Sequence, residues 1–349
     1  MWFKQFFSNR QHSDNQNNHC DHILASIQSN GVDLSMSELL QYQSKSALID
    51  LTARKNIHGR QSGNYLSRSK GRGMEFDEVR HYQTGDDIRA IDWRVTARTG
   101  KTHTKLFREE IERPVLIATD LSTNMHFGSK LLFKSVQAAH LAALVAWHAK
   151  ERGDRLGGIV FNQNQHKELK PRSRKEGVLH YLHALTSVHQ SSTEIINNIT
   201  TSDNLVNKPL PSETVFTENC ARIRQLAKPG SLVYFITDAS TLNNHSKNSH
   251  TVLRHLSQIS QHCELVICLI SDPLEHNLPS SDVKFSVNIT DGQDKQQLTL
   301  GDENTSEQYH QVATSIMNDK KQQLIETGAR VVELSAGLPL ELQLRAGGN

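Results

Sequence analysis

The chain has few of the features that mark a secreted or membrane-spanning protein. Its four cysteines are spread over 349 residues at spacings that fit neither a zinc ribbon nor a disulfide framework. No stretch approaches the ~18 consecutive apolar residues that cross a bilayer. The amino terminus, MWFKQFFSNR, becomes polar too early for a secretory signal. We therefore expect a soluble, cytoplasmic protein with no membrane span.

The chain also has little excess charge. Its formal net charge is +2, which gives no electrostatic reason for binding nucleic acid. The segment 54–113 is locally basic, with fourteen Lys and Arg against nine Asp and Glu, and charges of both signs are interspersed in it. Mixed charges are typical of ion-paired or solvated surfaces. We do not expect nucleic acid as a partner, although a nucleic-acid-binding module that uses this basic segment is an alternative.

From residue 114 onward, apolar strands and helical patterns alternate. The predicted strands are 114–119, 155–161, 232–237, 264–270 and 329–334. The predicted helices are 129–152, 174–188, 213–227, 250–262 and 306–327. Continuously apolar strands such as LVYFIT are typical of a parallel sheet that is covered on both faces. The pattern predicts an α/β fold, a three-layer sandwich around a mainly parallel sheet.

Three regions follow from this pattern. Residues 1–20 are predicted to be disordered or loosely docked. Residues 21–112 form an N-terminal extension, with a helix or helical hairpin at 35–54 and short strands within 74–107. Residues 113–340 form the α/β domain, with a β-hairpin insertion near 272–301 and a polar loop at 191–211.

The most distinctive segment is Arg80 to Arg98, which reads RHYQTGDDIRAIDWRVTAR. Its spaced residues are Arg80, Tyr82, Gly85, Asp86, Asp87, Arg89, Ile91, Asp92, Trp93, Ala97 and Arg98. Together with a later Asp-Pro-Leu-Glu-x-x-Leu-Pro segment at 272–279, this pattern resembles the signature of a bacterial family, domain of unknown function 58. Members of that family look like von Willebrand factor A-type domains with an N-terminal extension.

The resemblance implies a metal-ion-dependent adhesion site at the ends of two strands. In A-type domains that site uses an Asp-x-Ser-x-Ser loop, a threonine and a second aspartate; the matching residues here are Asp120, Ser122, Asn124, Thr193 and Asp238. Asn124 replaces the second serine. Mg²⁺ takes about six hard oxygen ligands at ~2.0–2.1 Å. We expect Mg²⁺ or another divalent cation at a degenerate site, or else no cofactor, with the same side chains capping helices and bonding the loops.

Two interpretations of the signature are open. Tyr82, Gly85 and Trp93 are predicted to be architectural, an aromatic pair and a turn glycine. The guanidinium groups of Arg80, Arg89, Arg94 and Arg98 are predicted to pair with the carboxylates of Asp86, Asp87 and Asp92. Such a network holds the extension in place, or it binds a partner or ligand directly.

The resemblance also implies a function. Family members resemble partners of MoxR-type AAA+ ATPases and are thought to assist the assembly or activation of client proteins. We therefore expect a non-enzymatic, chaperone-like adaptor that acts through protein–protein interaction at its metal-site-like loops. A metal-dependent hydrolase is a further alternative; its general base is not identified by the sequence.

Overall fold

A computed structural model describes residues 13–48, 74–109, 114–201, 212–242, 247–279, 283–290 and 295–346. The chain forms two compact units. One contains the described residues of 1–57 and 113–349, and the other contains those of 58–112. The predicted disorder of 1–12 and the Gly/Ser/Arg-rich, locally basic residues 54–73 lie outside the described residues.

The larger unit is built on a six-stranded, mainly parallel sheet. Its strands are β3 (Pro114–Asp120), β4 (Arg155–Phe161), β5 (His166–Arg172), β6 (Leu232–Thr237), β7 (Glu264–Ser271) and β10 (Arg330–Ser335). Their order is β10-β7-β6-β3-β4-β5, and β5 alone runs antiparallel to its neighbour. β5 was not predicted, because only Leu169 of this edge strand is buried and its sequence is polar.

Helices cover both faces of the sheet. They are α4 (Lys134–Glu151), α5 (Arg174–Thr201), α6 (Ser212–Leu226), α7 (Lys247–Ser260) and α8 (Glu303–Glu326), with a short α9 (Leu340–Ala346) at the end. Val115 and Ile117 pack with α4 and α5, whereas the intervening Leu116 packs with α6 and α7. Alternate strand residues therefore enter two cores, which explains why these strands are apolar throughout.

Helix α5 is longer than predicted. Residues 191–201 continue it instead of forming a loop, because neither Gly nor Pro interrupts the chain between Val178 and Lys208. The polar side chains are accommodated locally. Ser192, which is buried, donates its hydroxyl to the carbonyls of Val188 and Leu121.

The N-terminal segment packs on the larger unit and is more ordered than predicted. It contains α1 (Ser13–Ser26), α2 (Met36–Leu40) and two helical turns up to Leu48. Leu39 and Tyr42 lie in the core with α4, where Trp147 donates its indole N–H to the carbonyl of Leu39. The residues from 21 to 48 thus belong with the α/β domain and not with an extension that continues to residue 112.

The smaller unit is a two-stranded antiparallel sheet with a short helix. Its elements are β1 (Met74–His81), α3 (Trp93–Thr99) and β2 (His103–Glu109). The strands agree with the prediction of short strands, but α3 was not foreseen. Asp92 caps α3 by accepting from the backbone N–H groups of Arg94 and Val95.

Two further strands, β8 (Phe285–Thr290) and β9 (Lys295–Leu300), pair antiparallel within the segment where a hairpin was expected. They form their own two-stranded sheet. Among the described residues, no helix combines the length and the apolar character needed to cross a membrane.

Candidate functional site: three aspartates at one edge of the sheet

Three neighbouring strands of the large sheet end in an aspartate. Asp120 ends β3, Asp238 follows β6 and Asp272 follows β7; all three side chains are buried. Because these strands are parallel neighbours, their carboxyl ends lie side by side at one edge, which we call the aspartate edge. From β3 the chain passes to β4, which lies beside β3 on one side. The next parallel strand, β6, lies beside β3 on the other side. Asp120 and Asp238 therefore flank a topological switch point, the usual ligand position in open α/β sheets.

Asp120 organises the first loop of this edge. One carboxylate oxygen accepts from the backbone N–H of Ser122 at 2.9 Å, and the other accepts from the Thr237 hydroxyl at 2.8 Å. Burial, and then the charge of Asp238, raise the pKa of Asp120 to about 6, against the opposing effect of these hydrogen bonds. Its side chain is only 2% exposed.

Asp238 is held by a lysine that the sequence analysis did not single out. The Lys134 ammonium, at the first residue of α4, lies 2.7 Å from Asp238 Oδ2 and 2.6 Å from Glu275 Oε1. Burial would raise the pKa of Asp238, but the charge and hydrogen bond of Lys134 hold it below its ordinary value. Burial would lower the pKa of Lys134, yet Asp238 and Glu275 raise it.

Asp272 and Glu275 form a reciprocal cap on a short helical turn. Asp272 accepts from the N–H of Leu274 at 2.9 Å, and Glu275 Oε2 accepts from the N–H of Asp272 at 2.9 Å. Asp272 also accepts from the N–H of Ser129 at 2.8 Å, which joins this turn to the segment before α4. The Asp-Pro-Leu-Glu segment thus builds part of the aspartate edge.

The structure brings four of the five predicted metal ligands together, and the fifth, Thr193, bonds within a helix. Asn124 donates from its amide nitrogen to the Ser240 hydroxyl at 2.9 Å, linking the loops after β3 and β6. Thr193 was predicted to lie in a loop; it lies inside α5 and donates its hydroxyl to the carbonyl of His189. Because α5 continues through this position, the threonine hydroxyl bonds to a carbonyl of its own helix.

The side chains do not fit a divalent cation in this arrangement. Asp238 is bound to an ammonium, Asn124 presents its nitrogen to Ser240, and Thr193 bonds within its helix. Asp120 and Ser122 are left, and both carboxylate oxygens of Asp120 already accept hydrogen bonds from protein groups. Within the described residues, no cluster of three or more His, Cys, Asp or Glu side chains is suited to metal binding. Asp120 and Asp238 each accept a hydrogen bond from a backbone N–H of their own loop, that of Ser122 and that of Ser240 respectively.

A small cleft opens beside Asp120. It is lined by the end of β3, the end of β4, helix α6 and the loop after β6; its residues are Asp120, Ser122, Phe161, Asn162, Gln163, Val215, Phe216 and Thr241. Gln163 holds the loop after β3 by accepting from the N–H of Thr123 and donating to its hydroxyl. The cleft combines two aromatic rings with polar groups at the switch point.

The signature residues lie in the smaller unit and form one ion pair of the predicted kind. Arg80 Nη2 lies 2.7 Å from Asp86 Oδ1, and Asp86 Oδ2 accepts from the N–H of Gln83 at 2.9 Å. Gly85 takes a φ of 108°, a conformation that favours glycine, and so serves as the predicted turn residue. The bond from Gln83 and then the one from Arg80 lower the pKa of Asp86.

The other signature predictions are wrong in detail. Trp93 is 67% exposed and does not pack as a buried aromatic. In the described part of the signature, Arg80 is the only arginine that pairs with a carboxylate. Asp87 and Asp92 instead accept from backbone N–H groups at the starts of a helical turn and of α3, and Lys105 lies 3.7 Å from Asp92. Arg89, Arg94 and Arg98 are exposed.

Comparison with known proteins identifies the family. The signature of the family described as "Protein of unknown function DUF58" matches residues 78–319, which is more than half of the chain. The protein belongs to the DUF58 family. The match includes both the arginine-rich segment and the aspartate edge.

Individual relatives add little to this assignment. Uncharacterized proteins of Mycobacterium bovis and of Mycobacterium tuberculosis are 33% identical over 114 residues, which is 33% of this chain and 36% of each relative. A solved aerotolerance-related membrane protein from Bacteroides fragilis aligns with 61% of this chain and 99% of its own, at 15% identity and a TM-score of 0.31. The fold of this chain is α/β, with a mainly parallel six-stranded sheet.

The sequence analysis missed Lys134, Thr237 and Glu275. One signal was available for the lysine. It begins a largely buried helix, at the end where the helix dipole disfavours a positive charge. A cation in that position has to be compensated by carboxylates from elsewhere in the fold.

Proposed function

We propose that this DUF58 protein is a non-enzymatic adaptor with a von Willebrand A-like fold, acting in the cytoplasm, and that the aspartate edge is its binding face. The proposed partner is a MoxR-type AAA+ ATPase, with an unidentified client protein; the choice of partner comes from the family resemblance. The observation that carries the proposal is the convergence of three strand-end aspartates on one edge, with their loops bonded to one another.

The construction of the edge supports a binding role. The loops after β3 and β6 are joined by the Asn124–Ser240 bond, and the loops after β6 and β7 are joined through Lys134. Loops held in this way are preorganised, so binding costs little conformational entropy. Asn124 is exposed on this edge.

The chemistry of Asp120 favours binding over catalysis. Its raised pKa resembles that of a general base, but its two oxygens already accept from Ser122 and Thr237 and its side chain is enclosed. A general base has to reach the proton that it removes.

Direct binding to a purified ATPase tests the proposal. The full chain is immobilised, and the MoxR-type ATPase of the same genome is titrated over it with ATP and with ADP. Asn124→Arg places a bulky charge on the aspartate edge, whereas Gln261→Arg places it in the exposed turn before β7, at the opposite edge of the sheet. We expect Asn124→Arg to weaken binding at least ~10-fold, about 1.4 kcal/mol, and Gln261→Arg to leave it unchanged.

Two results would contradict the proposal. The first is that the wild-type chain does not bind the ATPase with either nucleotide. The second is that the two arginine variants bind equally well, which would place the interface elsewhere. Circular dichroism of both variants shows whether a loss of binding reflects a loss of fold.

A further inference from the structure

The strongest unexplained feature of the aspartate edge is the position of Lys134. Its side chain is 3% exposed, although lysine is rarely buried so completely. It is the first residue of α4, and the residue before it, Phe133, provides no side-chain cap. Both the loss of hydration and the positive end of the helix dipole act against an ammonium there.

Two carboxylates offset these costs. Asp238 Oδ2 lies at 2.7 Å and Glu275 Oε1 at 2.6 Å from the ammonium, so Lys134 bridges the loop after β6 and the turn after β7. Asp238 is fixed in turn by the N–H of Ser240, and Glu275 by the N–H of Asp272. One cation thus connects the start of α4 with the ends of two strands.

A divalent metal at this edge would make the same kind of connection, because it draws carboxylates from separate loops together. We propose that the Lys134 ammonium is the permanent cation of the aspartate edge and takes the place of the divalent metal that an A-type adhesion site would hold. The edge then keeps its arrangement whether or not divalent cations are present. This inference does not depend on the identity of any binding partner.

Removing the ammonium leaves Asp238 and Glu275 facing each other, with Asp120 on the neighbouring strand end. Carboxylate oxygens are the preferred ligands of hard divalent cations. A variant without the ammonium should therefore acquire a metal site that the natural protein does not have.

Mn²⁺ binding to the full chain measures this directly, because bound Mn²⁺ loses the electron paramagnetic resonance signal of the free ion. Five proteins are compared: wild type, Asp238→Asn, Lys134→Met, Lys134→Met with Asp238→Asn, and Lys130→Met, the control at an exposed lysine in the segment before α4. We expect one Mn²⁺ per chain in Lys134→Met alone, at least ~10-fold tighter than in the other four. Thermal unfolding with Mg²⁺ and with a chelator should show a cation-dependent midpoint in that variant and in no other.

Each result of these measurements either supports or overturns the proposal. One Mn²⁺ bound to the wild type and lost on Asp238→Asn would overturn the proposal, and so would a folded Lys134→Met variant that binds none. If Lys134→Met does not fold, the wild type and its Asp238→Asn variant decide the matter by themselves. Absence of a specific Mn²⁺ site in the wild type then supports the proposal, and a site lost with Asp238 refutes it.

Discussion

Charged side chains at the aspartate edge are stabilised by bonds to other protein groups rather than by water. Lys134, Asp238 and Glu275 form one connected group, and Asp120 is a separate carboxylate bonded to Thr237 and Ser122. Removing one partner of a buried ion pair typically costs about 3–5 kcal/mol, since a charge is left uncompensated. For stability, the charge of a residue at this edge therefore matters more than its size.

Replacing Trp147 and replacing Trp93 should have sharply different effects on stability. Trp147 is fully buried in α4, whereas Trp93 is 67% exposed in α3. We expect Trp147→Ala to lower the free energy of unfolding by about 3–5 kcal/mol and Trp93→Ala to change it by less than about 0.5 kcal/mol. Urea unfolding of both variants measures this. A large loss from Trp93→Ala would restore the buried role predicted from the sequence.

His189 should make stability depend on pH. Burial, and then the nearby His126, lower the pKa of His189 to about 4 from 6.5. The unfolded chain therefore takes up a proton at a higher pH than the folded chain does. The stabilising effect is complete above pH 6.5 and is lost as the pH falls toward 4. Its full size is on the order of 3 kcal/mol.

Comparison of two glutamine variants isolates this effect from the other histidines. His189→Gln should flatten the decline of unfolding free energy between pH 6.5 and pH 4, whereas His262→Gln, at an exposed position, should leave it unchanged. Unfolding by urea is measured at several pH values within that window. Parallel curves for the wild type and His189→Gln would exclude His189 as the titrating group.

At the scale of elements, the sequence analysis found elements that carry an apolar pattern and missed exposed elements that lack one. The strands β3, β4, β6 and β7 were predicted within a residue or two, because burial on both faces makes them largely apolar. The edge strand β10 was predicted as closely, although only Leu334 of its residues is buried. Strand β5 and helix α3 are largely exposed, so no apolar period marks them. Helix α5 was predicted too short because its later residues are polar.

The packing of β4 against α5 yields a prediction for Gly158. A Cβ atom on this glycine would lie 2.3 Å from the carbonyl oxygen of Ile117 and 2.6 Å from the Tyr181 ring. The neighbouring strand cannot move aside without breaking its pairing. We expect Gly158→Ala to destabilise the fold by about 1–3 kcal/mol or more, as measured by thermal unfolding.

Gly153 provides the matched control, because no atom lies within 4 Å of the Cβ position there. Gly153 has a φ of 81°, so an alanine strains the backbone without any steric clash. The cost of Gly153→Ala should be about 1 kcal/mol. A loss from Gly158→Ala no larger than that from Gly153→Ala would show that the atoms around Gly158 yield to the added methyl group.

At the scale of the whole molecule, the two units differ in how much they bury. The large sheet has a core on each face, whereas Thr104 is the only buried residue among positions 78–106. Local opening is easiest where few apolar contacts have to be broken. We therefore expect the amides of β1 and β2 to exchange hydrogen faster than those of β3, β6 and β7.

Hydrogen exchange followed by mass spectrometry tests this difference. Peptides from β3 and β6 should be protected at least ~100-fold more than those from β1 and β2, which corresponds to about 2.7 kcal/mol. Strand β5, at the edge of the large sheet, serves as an internal reference for an exposed strand. Equal protection of β1 and β3 would mean that the smaller unit is stabilised by contacts beyond its own strands.

The fold class could be predicted from local patterns. The order of apolar residues in each strand and each amphipathic helix indicates which of its faces is buried. The positions of Asp120 and Asp238 at strand ends followed from the same pattern. Their chemistry did not, because it depends on a lysine 104 residues from Asp238 in sequence and on the turn that carries Glu275. Contacts over such separations are fixed when the strands take their order in the sheet. For this reason local patterns located the acidic edge, and folding supplied the cation that neutralises part of it.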